Sequence, residues 1–235
     1  LWLRRAAGLA AIGVVAALGV KTVLRNVEYH SRLSIWKSVL SLAPANARAH
    51  NNLGQAYAVE GKLQRAVSHY RRAVEIRPSY AQASNNLGNA LVATGATDQA
   101  IASYRKALKI KPDYAKAAYN LGNALKSASK TKEAVEEYRR ALAISPDFVA
   151  ARNNLATGLY ALGRVEAAIE QYEIILTRLD TDPLVHSNYG IALQAKGELN
   201  AAATHFRRAL ELDPSSTQVR VNLNNLRHQL DGRRP

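Results

Sequence analysis

The sequence predicts an all-α protein, an α-solenoid of stacked helical hairpins preceded by one transmembrane helix. Three observations predict this fold class. A pattern of small and apolar residues recurs every 34 residues through most of the 235-residue chain. The spacings inside the pattern are those of helix faces, not strands. A long apolar run stands near the amino terminus, before the repeats begin.

Residues 1–26 are predicted to form the transmembrane helix and its flanks. The apolar run from Ala6 to Leu24 is interrupted only by Lys21 and Thr22, and about 20 residues suffice to cross a bilayer. The alternative is the apolar region of a signal peptide, because Arg4-Arg5 precedes it. Small residues spaced four apart predict a face that packs against another membrane helix. They are Ala7, Ala11, Gly13 and Ala17.

Residues 27–46 are predicted to form half of a hairpin, because Trp36 stands where all five later units have an aromatic residue and Pro44 where four of them have a closing proline. At the other end, residues 217–235 are predicted to form a capping helix and a basic tail. The helix from Thr217 to Leu230 continues the repeat register but carries polar residues where the core would be. Such polar end helices are typical of repeat arrays.

The central region, residues 47–216, divides into five gapless units of 34 residues. The units are 47–80, 81–114, 115–148, 149–182 and 183–216, and positions below are counted from the first residue of each unit. Positions 4, 7, 8 and 11 make one helical stripe, and positions 20, 24 and 27 make another. Each unit is therefore predicted to be two antiparallel helices.

The turn between the two helices carries its own signal. Position 15 is glycine in four units and Ser129 in the third, and glycine is the usual left-handed residue that ends a helix. Position 8 is glycine or alanine and position 20 is always alanine, so the paired helices can approach closely. Prolines close four of the five units and stop the second helix there: Pro78, Pro112, Pro146 and Pro214.

This pattern resembles the tetratricopeptide repeat (TPR), and the resemblance covers residues 47–216. It implies a right-handed α-solenoid that binds other proteins. The array is most similar to the repeats of O-GlcNAc transferase, in which equivalent asparagines hold substrate peptides. The junction from Tyr29 through "SRLSIWKSVLSLAPANARAHNNLG" is similar to polytopic transmembrane-and-TPR proteins, some of which are sugar transferases.

Position 6 is asparagine in every unit and in the capping helix, and it lies about 200° around the helix from position 8. It is therefore predicted to line a concave groove together with polar residues at position 9. An amide offers a donor and an acceptor, as a peptide group does. The alternative is that these asparagines tie neighbouring helices together. The predicted peptide-binding residues are Asn52, Asn86, Asn120, Asn154, Asn188, Asn222, Gln55, Asn89 and Asn123.

The leading hypothesis is a membrane-anchored scaffold that binds an extended peptide or a partner subunit in this groove. One alternative is the carboxy-terminal repeat domain of a polytopic glycosyltransferase-like enzyme, and another is a self-assembling subunit of a larger membrane complex. No catalytic constellation, metal site or cofactor motif is present in the sequence, which also lacks cysteine. Charges near the apolar run favour, on balance, repeats on the extracytoplasmic side.

Two further patterns have competing interpretations. Histidines occupy positions 4 and 23 in units one and five, as His50 with His69 and His186 with His205. They could be paired ligands or acid–base groups, or simply the product of repeat duplication. Basic pairs such as Arg71-Arg72 recur on the second helices, where they could bind lipid or nucleic acid or form a solvated face. The net charge of +14 is concentrated at the chain ends, and this distribution disfavours nucleic-acid binding.

Overall fold

The computed structural model describes residues 32–231, and this range is helical with no strand. Helix α1 covers residues 32–42. The other helices are α2 (Ala47–Val59), α3 (Leu63–Ile76), α4 (Ala81–Ala93), α5 (Thr97–Ile110), α6 (Ala115–Ser127), α7 (Thr131–Ile144), α8 (Val149–Ala161), α9 (Val165–Leu176), α10 (Pro183–Lys196), α11 (Leu199–Leu212) and α12 (Thr217–Asp231). The all-α prediction is confirmed for this range.

The helices form two compact units, which divide the chain between Ile110 and Lys111. In the amino-terminal unit, α2 packs on α3, α3 on α4, and α4 on α5. In the carboxy-terminal unit, each helix from α6 to α11 packs on the next one along the chain. Sequential packing of this kind buries apolar faces that a single hairpin would leave exposed.

Local chemistry explains where the helices begin and end. The side chain of Asn46 accepts a hydrogen bond from the backbone N–H of Ala49 at 3.0 Å, and Asp182 accepts one from Leu184 at 2.9 Å. Both are ordinary amino-terminal caps. The turn at position 15 has a positive φ in all five hairpins, including φ 60° at Ser129. The predicted left-handed turns are confirmed.

Position 8 contacts the aromatic ring at position 24 of the same hairpin. A Cβ placed on Gly88 would lie 2.5 Å from the Tyr104 ring, and one on Gly122 would lie 2.6 Å from the Tyr138 ring. Both rings are buried. Glycine at position 8 therefore lets the first helix rest directly on the ring.

The predicted transmembrane helix and its packing residues, Ala7, Ala11, Gly13 and Ala17, lie outside the described residues. Within 32–231, none of the helices combines the length and the apolar character that a membrane span requires. The half hairpin is represented by α1, in which Trp36 is half-buried. The capping helix is α12, whose inner side buries Val219, Leu223 and Leu226.

Candidate functional site

The side chains at positions 6 and 9, here called the amide row, lie on the first helix of each hairpin. All six position-6 asparagines are half-buried, and at position 9 Gln55 and Asn89 are exposed while Asn123 is half-buried. The row thus borders solvent, unlike the fully buried residues at positions 7 and 8. Its amides also contact one another, which the sequence left as an alternative to peptide binding.

In the amino-terminal unit, three asparagines form a chain of hydrogen bonds. The Nδ2 of Asn86 donates to Oδ1 of Asn51 at 3.0 Å, and the Nδ2 of Asn51 donates to Oδ1 of Asn52 at 3.3 Å. Asn51 is only 1% exposed, so it is the internal link. These hydrogen bonds all run in the same direction, so the two outer amides differ. Asn86 donates an N–H to Asn51 and keeps its Oδ1 as an acceptor, whereas Asn52 accepts from Asn51 at Oδ1 and keeps its Nδ2 hydrogens as donors.

The carboxy-terminal unit repeats this arrangement with different partners. The Nδ2 of Asn154 donates to Oδ1 of Asn123 at 2.8 Å, and the hydroxyl of Tyr138 donates to the same oxygen at 2.8 Å. Asn123 thus has both acceptor sites occupied and keeps its Nδ2 donors. Asn154, like Asn86, keeps its Oδ1. Each of the two compact units therefore combines one amide that offers an acceptor with a neighbouring amide that offers donors.

In repeats two and three, the tyrosine at position 24 holds the asparagine at position 9. The hydroxyl of Tyr104 donates to Oδ1 of Asn89 at 2.8 Å, as that of Tyr138 does to Asn123. Burial raises the pKa of both phenols, so both hydroxyls stay protonated. Repeat five has Phe206 at position 24 and Ile191 at position 9. This pairing of tyrosine with a polar partner is visible in the sequence, but our sequence interpretation missed it.

The remaining predicted residues have different surroundings. Asn222 accepts a hydrogen bond at Oδ1 from Gln218 on the same helix, at 3.1 Å. Asn188 and Asn120 are half-buried on α10 and α6. The side chain of Asn188 makes no hydrogen bond with the rest of 32–231, nor does that of Gln55.

The two histidine pairs are closely similar to each other. The Nδ1 atoms of His50 and His69 lie 3.0 Å apart, and those of His186 and His205 lie 2.9 Å apart. Burial lowers the pKa of His69, and the nearby His50 lowers it further. Burial and His186 also lower the pKa of His205, opposed by Asp180. The structure thus brings together residues that the sequence only marked as equivalent.

No group of three or more histidine, aspartate or glutamate side chains within residues 32–231 is arranged to hold a metal ion. Several arginines of these basic pairs have acidic partners on the same helix. Arg72 contacts Glu75 at 3.1 Å, and Arg139 contacts Glu136 at 2.7 Å. These ion pairs favour the interpretation of this surface as a solvated face.

The fold and the amide row define an all-α repeat protein whose first helices carry paired amides. Models of the tetratricopeptide repeat match residues 47–80, 119–183 and 183–216, and a TPR repeat model matches residues 88–129. The chain belongs to the tetratricopeptide-repeat proteins.

Individual proteins are similar over different lengths. The chain is 32% identical over 60 residues to mouse protein O-mannosyl-transferase TMTC4, which is 26% of this chain and 8% of that protein. The chain therefore spans a small part of that relative.

Solved structures share the fold at low identity. YrrB, a TPR protein with an unusual peptide-binding site, has a TM-score of 0.71 at 20% identity, covering 81% of this chain and 97% of that one. PilF of Pseudomonas aeruginosa has a TM-score of 0.74 at 18% identity, covering 88% and 92%. MamA has a TM-score of 0.66 at 23% identity, covering 72% and 92%.

Proposed function

We propose that this chain is a membrane-anchored scaffold whose amide row binds an extended segment of a partner protein through its main chain. The observation that carries the proposal is the directed pairing of amides in both units. Asn86 and Asn154 keep an acceptor, while Asn52 and Asn123 keep donors. A peptide group carries one N–H donor and one C=O acceptor, so this pairing is complementary to an extended backbone.

The contacts that orient the amides also support binding. An amide already held by a buried neighbour loses less conformational freedom when it binds a ligand than a free side chain would. Tying neighbouring helices and binding a peptide are therefore compatible roles. Asn86 and Asn154 use Nδ2 for the first role and offer Oδ1 for the second.

A randomised peptide library displayed on phage, selected on the purified chain, would supply ligands for the test. The affinity of a selected peptide is then compared between the wild-type chain and two single variants, Asn86→Ala in the amino-terminal unit and Asn154→Ala in the carboxy-terminal unit. At least one of them should weaken binding about fivefold, because one hydrogen bond to the peptide is lost. The matched controls are Gln64→Ala and Asn200→Ala, two exposed amides at equivalent places on second helices. A peptide that both asparagine variants bind as tightly as the controls do would refute the proposal.

Two additions make the test specific to main-chain recognition. N-methylation of single backbone amides in the selected peptide removes one donor at a time, and each effective methylation should weaken binding about fivefold. Gln55→Ala tests the row at a side chain whose removal breaks no hydrogen bond within the described range. Side-chain recognition alone would leave binding unchanged when the backbone is methylated.

The membrane anchor and the location of the repeats belong to the same proposal. The apolar run between residues 6 and 24 supports anchoring, and we propose that the repeats lie on the extracytoplasmic side. The full chain should remain with membranes after an alkaline wash, and a chain lacking residues 1–26 should not. Protease added to intact cells or spheroplasts should cleave the repeats. Protection of the repeats until the membrane is lysed would contradict this location.

A second candidate rests on the 32% identity to mouse protein O-mannosyl-transferase TMTC4. In this alternative, the array presents a substrate or partner to a membrane-embedded transferase encoded in the same gene. The gene region upstream of Leu1 decides between the two candidates. Further membrane spans there would favour the transferase, and an initiator codon immediately before Leu1 would favour the scaffold.

A further inference from the structure

In several repeats the side chain at position 4 contacts both the turn that enters the repeat and the second helix. We call this set of hydrogen bonds a tie. In repeat four, Arg152 donates through Nη2 to the backbone O of Pro146 at 2.7 Å and through Nη1 to Oε1 of Gln171 at 3.0 Å. The oxygen lies six residues earlier, in the turn that enters the repeat. Gln171 lies at position 23 on the second helix. The tie therefore joins the entering turn, the first helix and the second helix of one repeat.

The histidine pairs make the same tie in repeats one and five. Nε2 of His50 lies 3.1 Å from the backbone O of Pro44, and Nε2 of His186 lies 3.3 Å from that of Asp180. Each oxygen is again six residues earlier. His69 and His205 take the place of Gln171. Repeats two and three have Ser84 and Ala118 at position 4, so the histidine version is confined to the first and last complete repeats.

The geometry determines which nitrogen carries each proton. A carbonyl oxygen can only accept, so Nε2 of His50 and of His186 must donate, and Nδ1 of each neutral ring must accept. Nδ1 of His69 and of His205 therefore donates. One added proton preserves an N–H to N contact in the pair. A second added proton places two N–H groups against each other, and the bond is lost.

The charged neighbours differ between the two pairs. Around His50 and His69 the cavity is lined by Arg71, Arg72 and Glu75, and the ring of Tyr57, stacked on His69, is covered by Arg65.

Around the second pair, Oδ1 of Asp180 lies 3.0 Å from Nε2 of His186. Arg207, Arg208 and Glu211 line that cavity, and Arg208 also contacts Asp180 at 3.3 Å. Tyr189 packs on His205, and its hydroxyl donates to Glu173 on α9. A carboxylate thus lies beside the second pair, whereas the first pair has no carboxylate in that place.

We propose that the two histidine pairs are proton-operated ties that hold repeats one and five closed at neutral pH and release them on acidification. The Arg152–Gln171 tie of repeat four keeps its hydrogen bonds at both pH values, because arginine stays charged and glutamine does not titrate. Acid therefore loosens the two ends of the array selectively.

The direction agrees with the perturbed histidines. Their pKa is lowered from 6.5 in the folded chain, so the unfolded chain binds more protons below that value. The stability that these rings contribute is fully present above pH 6.5. It is lost as the pH falls through the lowered pKa of the folded state.

Amide hydrogen–deuterium exchange of the full chain in detergent, compared at neutral and mildly acidic pH and corrected for the intrinsic exchange rate, measures the release. Protection of α2–α3 and α10–α11 should fall about tenfold per pH unit for each proton coupled to opening. Protection of α8–α9 should not change. Equal changes in all three hairpins would overturn the proposal.

The chain supplies its own control variants. His50→Arg with His69→Gln copies the tie of repeat four into repeat one and should abolish the acid effect there. Arg152→His with Gln171→His should create an acid effect in α8–α9. If the first variant fails to fold, the second still decides. An acid response in α2–α3 that survives the first variant, or none in α8–α9 of the second, would refute the assignment.

Discussion

Replacing Ser129 with glycine should stabilise the protein. Ser129 is the one non-glycine residue with a positive φ within residues 32–231, at 60°, and the four glycines at position 15 have φ from 73° to 90°. The left-handed conformation costs an L-residue about 1–2 kcal/mol. Replacement by glycine relieves this cost, but the greater conformational entropy of glycine in the unfolded chain offsets roughly 0.5–1 kcal/mol of the relief. The net gain is therefore about 0.5–1 kcal/mol.

The hydrogen bonds at this turn make the comparison with a glycine turn direct. The N–H of Lys130 donates to Leu125 O at 2.9 Å, and the N–H of Ala96 donates to Leu91 O at the same distance beside Gly95. A Cβ on Gly95 would meet no atom within 4 Å, so Gly95→Ser is a matched reverse control that should destabilise by the same amount.

Urea unfolding followed by circular dichroism provides the assay for both turn variants. With a slope of about 2 kcal/mol per molar, the midpoint should rise by about 0.3–0.5 M for Ser129→Gly and fall by a similar amount for Gly95→Ser. A midpoint that stays the same or falls for Ser129→Gly, while Gly95→Ser lowers it, would refute the reasoning.

Three further changes test the packing and hydrogen bonding. Gly88→Ala should destabilise by about 2 kcal/mol, because its Cβ would overlap the Tyr104 ring; an unchanged urea midpoint would show that the ring can move aside. Tyr104→Phe should cost about 1 kcal/mol, because it removes the hydrogen bond from the phenol to Asn89, and NMR signals of that amide that stay unshifted would contradict the assigned bond. Burial raises the pKa of Tyr70 and Tyr172 from 10.0 to about 12. The stability that these buried neutral phenols contribute is complete below pH 10 and is lost as the pH rises through 12. Phenolate absorbance and the unfolded fraction should therefore rise together. Titration of these phenols near pH 10 in the folded chain would contradict this.

Much of the fold could be predicted because each hairpin is specified locally. Glycine at position 15 marks the turn, and the contact between Gly88 and Tyr104 spans only 16 residues of one repeat. Ser129 shows the limit of this reasoning. The turn keeps its left-handed geometry without glycine, because the contacts between the flanking helices hold it there.

The candidate site could be predicted only in part. Helical periodicity places Asn86 and Asn154 on the face opposite the hairpin contact, but it does not tell which atom of each amide is used internally. That depends on contacts with Asn51 and Asn123 in the preceding repeat. Helical periodicity also could not predict the histidine ties. The 3.0 Å distance between the Nδ1 atoms of His50 and His69 depends on how two helices are rotated relative to each other, which the sequence pattern does not give.

The tyrosines beneath the amide row have a consequence for how the surface behaves in different compartments. The phenols of Tyr104 and Tyr138 keep their protons far above neutral pH, and asparagine does not ionise. The pattern of donors and acceptors at Asn89 and Asn123 is therefore constant from acidic to neutral surroundings and independent of redox state. The proposed binding to these amides should accordingly not depend on pH through the amides themselves, in contrast to the histidine pairs of repeats one and five.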